Sequence, residues 1–181
     1  AISETGLDDK DIKNISQIYI VACGSAWHVG MQAQYVIEDI ADVPVRCELA
    51  SEFRYRKMSL DKNALMIVIS QSVETADSLA ALRMAKDKGI KTLAIVNVVG
   101  SSIAREADHV MYTFAGPEIS VATTKAYSCQ LVCGFILALK MALSKGTIDD
   151  VKLKYYMDEL MTIPSKIEKC LEDKERIQWF A

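Results

Sequence analysis

The chain has 181 residues, 51% of them apolar and 25% charged, with 8 Gly and 3 Pro. This length and composition argue for one compact domain with its own core, and exclude collagen-like, low-complexity and disordered classes. A net charge of −3 without any block of Lys and Arg sets aside sequence-independent nucleic-acid binding.

The longest unbroken apolar stretch, Leu131 to Leu139, falls far short of the ~20 residues that span a bilayer. The N-terminal stretch carries Asp8, Asp9 and Asp11 and lacks the apolar block of a signal peptide. A cytoplasmic protein that does not engage membranes is expected. The five cysteines are odd in number and form no C-x-x-C pair. Cys129 and Cys133 share a helix face, but only His28 and His109 could join them, so no metal site is expected. All five are read as buried free thiols. No cofactor is expected either.

In chain order, Gln17 to Cys23 (QIYIVAC) reads as a buried strand ended by Gly24 and Ser25. Ala26 to Ile40 follows as a helix, with Ala33, Val36, Ile37 and Ile40 at helical spacing. Pro44 punctuates, and Val45 to Leu49 is a second strand. Leu65 to Ser70 (LMIVIS) is a third, leading through a polar turn into a helix from Thr75 to Lys88 that Gly89 closes. Thr92 to Asn97 is a fourth strand, Ser101 to Ala107 a short helix, and Val110 to Thr113 a fifth strand at an edge. A long, largely apolar helix covers Thr124 to Leu143, and an amphipathic helical tail runs from Asp149 with a break near Pro164. Strand–helix alternation of this kind predicts a doubly wound α/β domain with helices on both faces of a parallel sheet of five strands.

Ligands of such sheets bind at the carboxyl ends of the strands. Three of those places carry small hydroxyl residues: Ser25 after the first strand, Ser70-Gln71-Ser72 with Thr75 after the third, and Thr123-Thr124 before the long helix. Hydroxyls beside free N–H groups at a helix start suit a phosphate. Ordinary helix capping by Ser72 and Thr75 is the competing explanation. The P-loop, the G-x-G-x-x-G turn and the G-x-S-x-G elbow are all missing. His28 reads either as a general base or as a partly buried histidine without a role. Glu48, Glu52, Arg54 and Arg56 read as a solvated ion-pair cluster.

The run Ile69-Ser70-Gln71-Ser72-Val73-Glu74-Thr75-Ala76-Asp77-Ser78-Leu79 resembles the phosphosugar loop of sugar isomerase (SIS) domains. VACGSAWHVG (21–30), ELASEFRYRK (48–57), NVVGSSIAREAD (97–108) and GPEISVATTKAY (116–127) narrow the resemblance. They are similar to the isomerising glutamine–fructose-6-phosphate aminotransferases, also called glucosamine-6-phosphate synthases. The resemblance implies a flavodoxin-like three-layer SIS domain over 17–146. Residues 1–16 would be a lead-in, and 147–181 a helical extension toward an absent second SIS domain.

Enzymes of that family join a glutaminase domain to two SIS domains and convert fructose 6-phosphate and ammonia to glucosamine 6-phosphate. The chain would be the first SIS domain alone, without glutaminase cysteine or isomerase acid–base residues, and thus with no catalytic residue of its own. Its implied partners are fructose 6-phosphate or glucosamine 6-phosphate, the second SIS and glutaminase domains, and further copies in a homo-oligomer.

Carried over by position, Ser70, Gln71, Ser72 and Thr75 would hold the phosphate. Ser25, the backbone of Val121, and Thr123 would contact the sugar. Lys125 belongs to the motif without an assigned contact, and Ala26 lacks a hydroxyl sometimes found there. Val73 stands where the family loop has Gly, which predicts a strained loop and weakened binding. Two other functions compete: a stand-alone single-SIS phosphosugar isomerase, with its base among His28, Glu48, Glu52 and Glu74, and a non-enzymatic sugar-phosphate sensor.

Overall fold

The computed structural model describes residues 5–71, 76–119 and 123–180. Five parallel strands form one sheet: β1 (Gln17–Ala22), β2 (Val45–Leu49), β3 (Ala64–Ser70), β4 (Lys91–Val96) and β5 (His109–Tyr112). Their order is β2-β1-β3-β4-β5, which puts β5 at an edge as expected. The helices are α1 (Asp9–Asn14), α2 (Ser25–Ala41), α3 (Ala50–Phe53), α4 (Ala76–Asp87), α5 (Ser102–Glu106), α6 (Thr124–Lys145), α7 (Asp150–Leu171) and α8 (Lys174–Phe180).

The central strands are apolar on both faces because both faces are covered; every residue of β3 is buried. Alternate residues divide between two cores. Ile18, Ile20, Leu65, Ile67, Leu93 and Ile95 pack against α1, α2 and α6. Tyr19, Val21, Met66, Val68, Ala94 and Val96 pack toward α3, α4 and α5. Burying each large side chain stabilises the fold by roughly 1.5–3 kcal/mol. Helix α2 lies close on the sheet at Gly30, where an added Cβ would come within 2.7 Å of Cys47 Sγ and 2.9 Å of Ile20. At the crossing of α2 with α6, a Cβ on Gly134 would stand 3.2 Å from that of Ala33.

Three expectations need correction. The lead-in contains a helix, α1, capped by Asp8, whose Ile12 is fully buried in the first core. Pro164 does not break the tail: α7 runs through it. The helix is exposed along its length, so water can serve a freed carbonyl, and hydroxyls of Thr162 and Ser165 donate to the carbonyls of Glu159 and Thr162 at 2.7 and 2.9 Å. Of the cysteines only Cys133 is buried; Cys23, Cys47 and Cys129 are half-buried and Cys170 is exposed. Burial still pushes the thiols of Cys47 and Cys133 up, to about 12 and about 11, which keeps both unreactive.

Helix α6 is long and apolar enough to cross a membrane by length and composition alone. Here half of its apolar window is buried inside the protein, as in a core helix, and its close partner is α2.

Candidate functional site

In the observed strand order the chain leaves β1 toward β2 and then returns across the sheet to β3. That reversal opens a crevice outside the carboxyl ends of β1 and β3, the place where doubly wound sheets bind ligands. The register puts Ala22 beside Ile69 and Val96 beside Ser70. Cys23-Gly24-Ser25, Ser70-Gln71 and Asn97 therefore follow three neighbouring strand ends. Two sequence-derived clusters, at Ser25 and at Ser70-Gln71, thus flank the crevice.

Ser25 is exposed at the first position of α2. The residue before it, Gly24, has φ 58° and ψ −135°, a conformation that L side chains avoid. No side chain caps α2 and its first turn holds no acidic residue, so its N–H groups keep their capacity for an acceptor. Ser70 is 4% exposed at the end of β3. Gln71 Oε1 is buried and has no hydrogen-bond partner among the described residues. Such an atom costs free energy unless something donates to it. Ser72, Thr75 and Val121, and with them Val73 and Glu74, lie outside the described residues.

Thr123 is the N-cap residue of α6 and holds φ 55°, ψ 49°. For a β-branched residue this left-handed backbone costs about 1–3 kcal/mol, and such strain gathers at binding sites. Lys125 is exposed. The carboxylate of Glu118 accepts from the Ala126 N–H at 3.2 Å, occupying one of the donors at the start of α6. That negative charge makes the α6 start a poorer seat for an anion than the starts of α2 and α4.

The charged cluster divides in two. Arg56 pairs with Glu48 at 3.1 Å, while Arg54 crosses to Asp77 in the first turn of α4 at 2.6 Å. The hydrogen bond to Asp77 raises the already high pKa of Arg54, so its charge is permanent. Arg54 thereby offsets the carboxylate that would otherwise repel an anion at the start of α4. Glu52 and His28 are both exposed; His28 meets the edge of Trp27 with ring centroids 5.0 Å apart, and the expected partial burial of His28 is not found.

Sequence reasoning missed Asn97 as a site residue. It hydrogen-bonds the segment after β5 at three points: Oδ1 accepts from Thr113 Oγ1 and the Ala115 N–H, both at 2.9 Å, and Nδ2 donates to the Gly116 carbonyl at 2.7 Å. Its only local signal was its place directly after a strand. No group of His, Cys, Asp and Glu among the described residues could hold a metal ion.

The family model for SIS domains matches residues 11–140. The chain is 55% identical over 169 residues to a glutamine–fructose-6-phosphate aminotransferase (isomerizing) of Clostridium tetani, covering 93% of this chain and 28% of that protein. It is 50% identical over 180 residues to the Clostridium acetobutylicum protein of the same name, covering 99% and 30%. Among solved structures, the C-terminal domain of glucosamine-fructose-6-phosphate aminotransferase from Francisella tularensis aligns with a TM-score of 0.92 and 39% identity. That alignment covers 95% of this chain and 48% of the other. The chain spans about 30% of the length of the curated relatives it matches.

Proposed function

The chain belongs to the SIS domain family, and from that premise we propose that it is the first of two sugar-phosphate-binding halves of an isomerising glutamine–fructose-6-phosphate aminotransferase. The domain itself would cover 17–146, with 147–181 leading toward the second half. One observation carries the reading: Ser25 and Ser70-Gln71 flank the crevice at the β1/β3 ends, where the buried Gln71 Oε1 lacks a donor among the described residues. A phosphate needs donors without competing carboxylates: the first turn of α2 holds no acidic residue, and Arg54 offsets Asp77 in the first turn of α4.

In this reading Ser70, Gln71, Ser72 and Thr75 hold the phosphate, through hydroxyl, amide and backbone N–H groups. Gln71 turns its amide donors to the phosphate and its Oε1 to a sugar hydroxyl, which relieves the unsatisfied acceptor. Ser25, the Val121 backbone and Thr123 meet the sugar. The domain grips and orients fructose 6-phosphate or glucosamine 6-phosphate. Proton transfer and amination fall to groups outside the chain, in the second SIS half, the glutaminase domain or a neighbouring copy.

The test is calorimetric titration with fructose 6-phosphate and with fructose, alongside an assay for sugar-phosphate interconversion. Binding that requires the phosphate, with no turnover, is the expected result. Turnover proportional to protein and abolished in His28→Ala or Glu52→Gln would replace this reading with a stand-alone isomerase. Equal binding of fructose and its phosphate would remove the phosphate site altogether.

A further inference from the structure

Residues 113–123 run from the end of β5 to the start of α6. Among the described residues of this segment, 113–119 and 123, three have left-handed backbone: Phe114 (φ 50°), Gly116 (φ 70°) and Thr123 (φ 55°). Two of the three are not glycine, and Phe114 is 75% exposed, so burial of its ring does not hold it in place. A chain stays in such conformations only where its surroundings over-determine them. The described hydrogen bonds identify the restraints.

We propose that Asn97 and Glu118 are positioning residues that brace this segment and thereby set Thr123 toward the sugar, an inference that rests on the sugar-phosphate reading above. Asn97 grips the residues on either side of Phe114. Its carbonyl oxygen takes the Thr113 hydroxyl and the Ala115 N–H, and its amide holds the Gly116 carbonyl. One planar side chain thus fixes three points of the turn, whose first residue is also tied to β4 by the Thr113 N–H donating to the Val96 carbonyl at 3.0 Å. At the far end the Glu118 carboxylate reaches to the Ala126 N–H, in the first turn of α6 and three residues beyond Thr123. Thr123 is held between that clasp and the helix it caps, with its carbonyl accepting from Tyr127 at 3.2 Å. The Asn97 side chain is spent on the turn, so it acts on the sugar through backbone placement.

The division of labour makes the roles separable. The phosphate end of the site belongs to the segment after β3, which neither residue touches in the described hydrogen bonds. Asn97→Ala should therefore weaken fructose 6-phosphate binding about tenfold in calorimetry and leave inorganic phosphate within about twofold. Asn97→Asp keeps the acceptor but sets a carboxylate oxygen against the Gly116 carbonyl in place of the donor, so it should lose affinity as well. Glu118→Gln keeps an acceptor for Ala126 and should bind like the parent, whereas Glu118→Ala should lose about fivefold.

Amide hydrogen exchange supplies a ligand-free readout. Ala115 should exchange about tenfold faster in Asn97→Ala, and Ala126 in Glu118→Ala, while the β3 and β4 amides keep their rates. Equal losses for the sugar phosphate and inorganic phosphate, or unaltered exchange at Ala115 and Ala126, would overturn the proposal. If Asn97→Ala does not fold, the Glu118 pair decides. A parent chain that binds no sugar phosphate would fell the functional reading alone, and exchange would still decide the bracing.

Discussion

The two edges of the sheet use their polar groups in opposite ways. At the amino edge the charges are paired. Lys91 meets Asp11, Lys140 meets Asp9, and Lys86 lies 3.0 Å from Asp108. Asp108 also accepts from the Thr92 hydroxyl at 2.8 Å and N–H at 3.0 Å, and His109 Nδ1 donates to the Thr5 carbonyl at 3.0 Å. Clefts of about 320 and 200 Å³ open there, and the pairs Lys86–Asp108 and Lys91–Asp11 stand on their walls. The carboxyl edge has an α2 start without a side-chain cap, a Gln71 Oε1 with no partner among the described residues, a left-handed Gly24, and strained backbone at Phe114 and Thr123. Paired charges mark the first edge, while unspent hydrogen-bonding capacity and strain mark the second. The proposed sugar-phosphate site lies at the latter, because a ligand gains most from groups that are not already satisfied.

The largest expected effect is at Gly24. No described residue lies within 4 Å of a Cβ there, so Gly24→Ala tests chiefly the backbone. It should lower stability by about 1–3 kcal/mol in urea denaturation and weaken sugar-phosphate binding. Unchanged stability would remove strain from the account of this edge.

Val73, in the proposed phosphate loop and outside the described residues, comes next. If the loop needs glycine's freedom, Val73→Gly should tighten fructose 6-phosphate binding about tenfold, or roughly 1.4 kcal/mol. Equal affinity, with a stability loss of a few tenths to about 1 kcal/mol, would show that valine fits without strain.

Acid should separate the edges. A phosphate monoester loses its second charge near pH 6, so affinity should fall several-fold between pH 7 and 5. The amino-edge carboxylates titrate lower. Hydrogen bonds from Lys140 and Ser144 hold Asp9 below its ordinary value, and the Arg83 bond does the same for Glu106. For Asp108 burial pushes upward, but the bonds from Lys86 and Thr92 outweigh it and the net direction is down. Depressed folded-state values mean that this stability is fully present above about pH 4 and is lost as pH falls through the lower folded values. Circular dichroism should therefore stay constant over the range in which calorimetry shows binding weaken. Coincident loss of fold and binding would contradict the separation.

The smallest effect belongs to the exposed pairs. Lys91→Ala breaks the pair with Asp11 and should cost less than about 1 kcal/mol, without altering sugar-phosphate affinity. A change of affinity there would mean that the two edges are coupled.

Much of this protein was legible as local pattern. The five strands, helices α2, α4, α5 and α6 and the Gly89 helix end lie within a residue or two of where period and turn chemistry put them, because both are properties of neighbouring residues. The four-residue α3 was not foreseen. The hydroxyl clusters at Ser25 and Ser70 could be ranked as site residues by their places after strands. Helix α1 was not legible: six residues are too few for a period, and it is held by burial of Ile12 and a cap from Asp8. The uninterrupted α7 ran against the usual cost of an internal proline, because local hydroxyls and an exposed surface offset it.

By itself the sequence determined the fold class, the division of the strands between two cores, and which short segments carry hydroxyls to the carboxyl edge. The tertiary structure decided which of those segments meet. It set Arg54 against Asp77 across 23 positions, Asn97 against Thr113 and Ala115 across 16 and 18, and Glu118 against Ala126 across 8. None of these partners shares a helical turn or a strand face, so no local period encodes them. Each forms only after parallel strands have closed around β1 and β3, and packing then leaves one geometry in which its donors and acceptors can be satisfied.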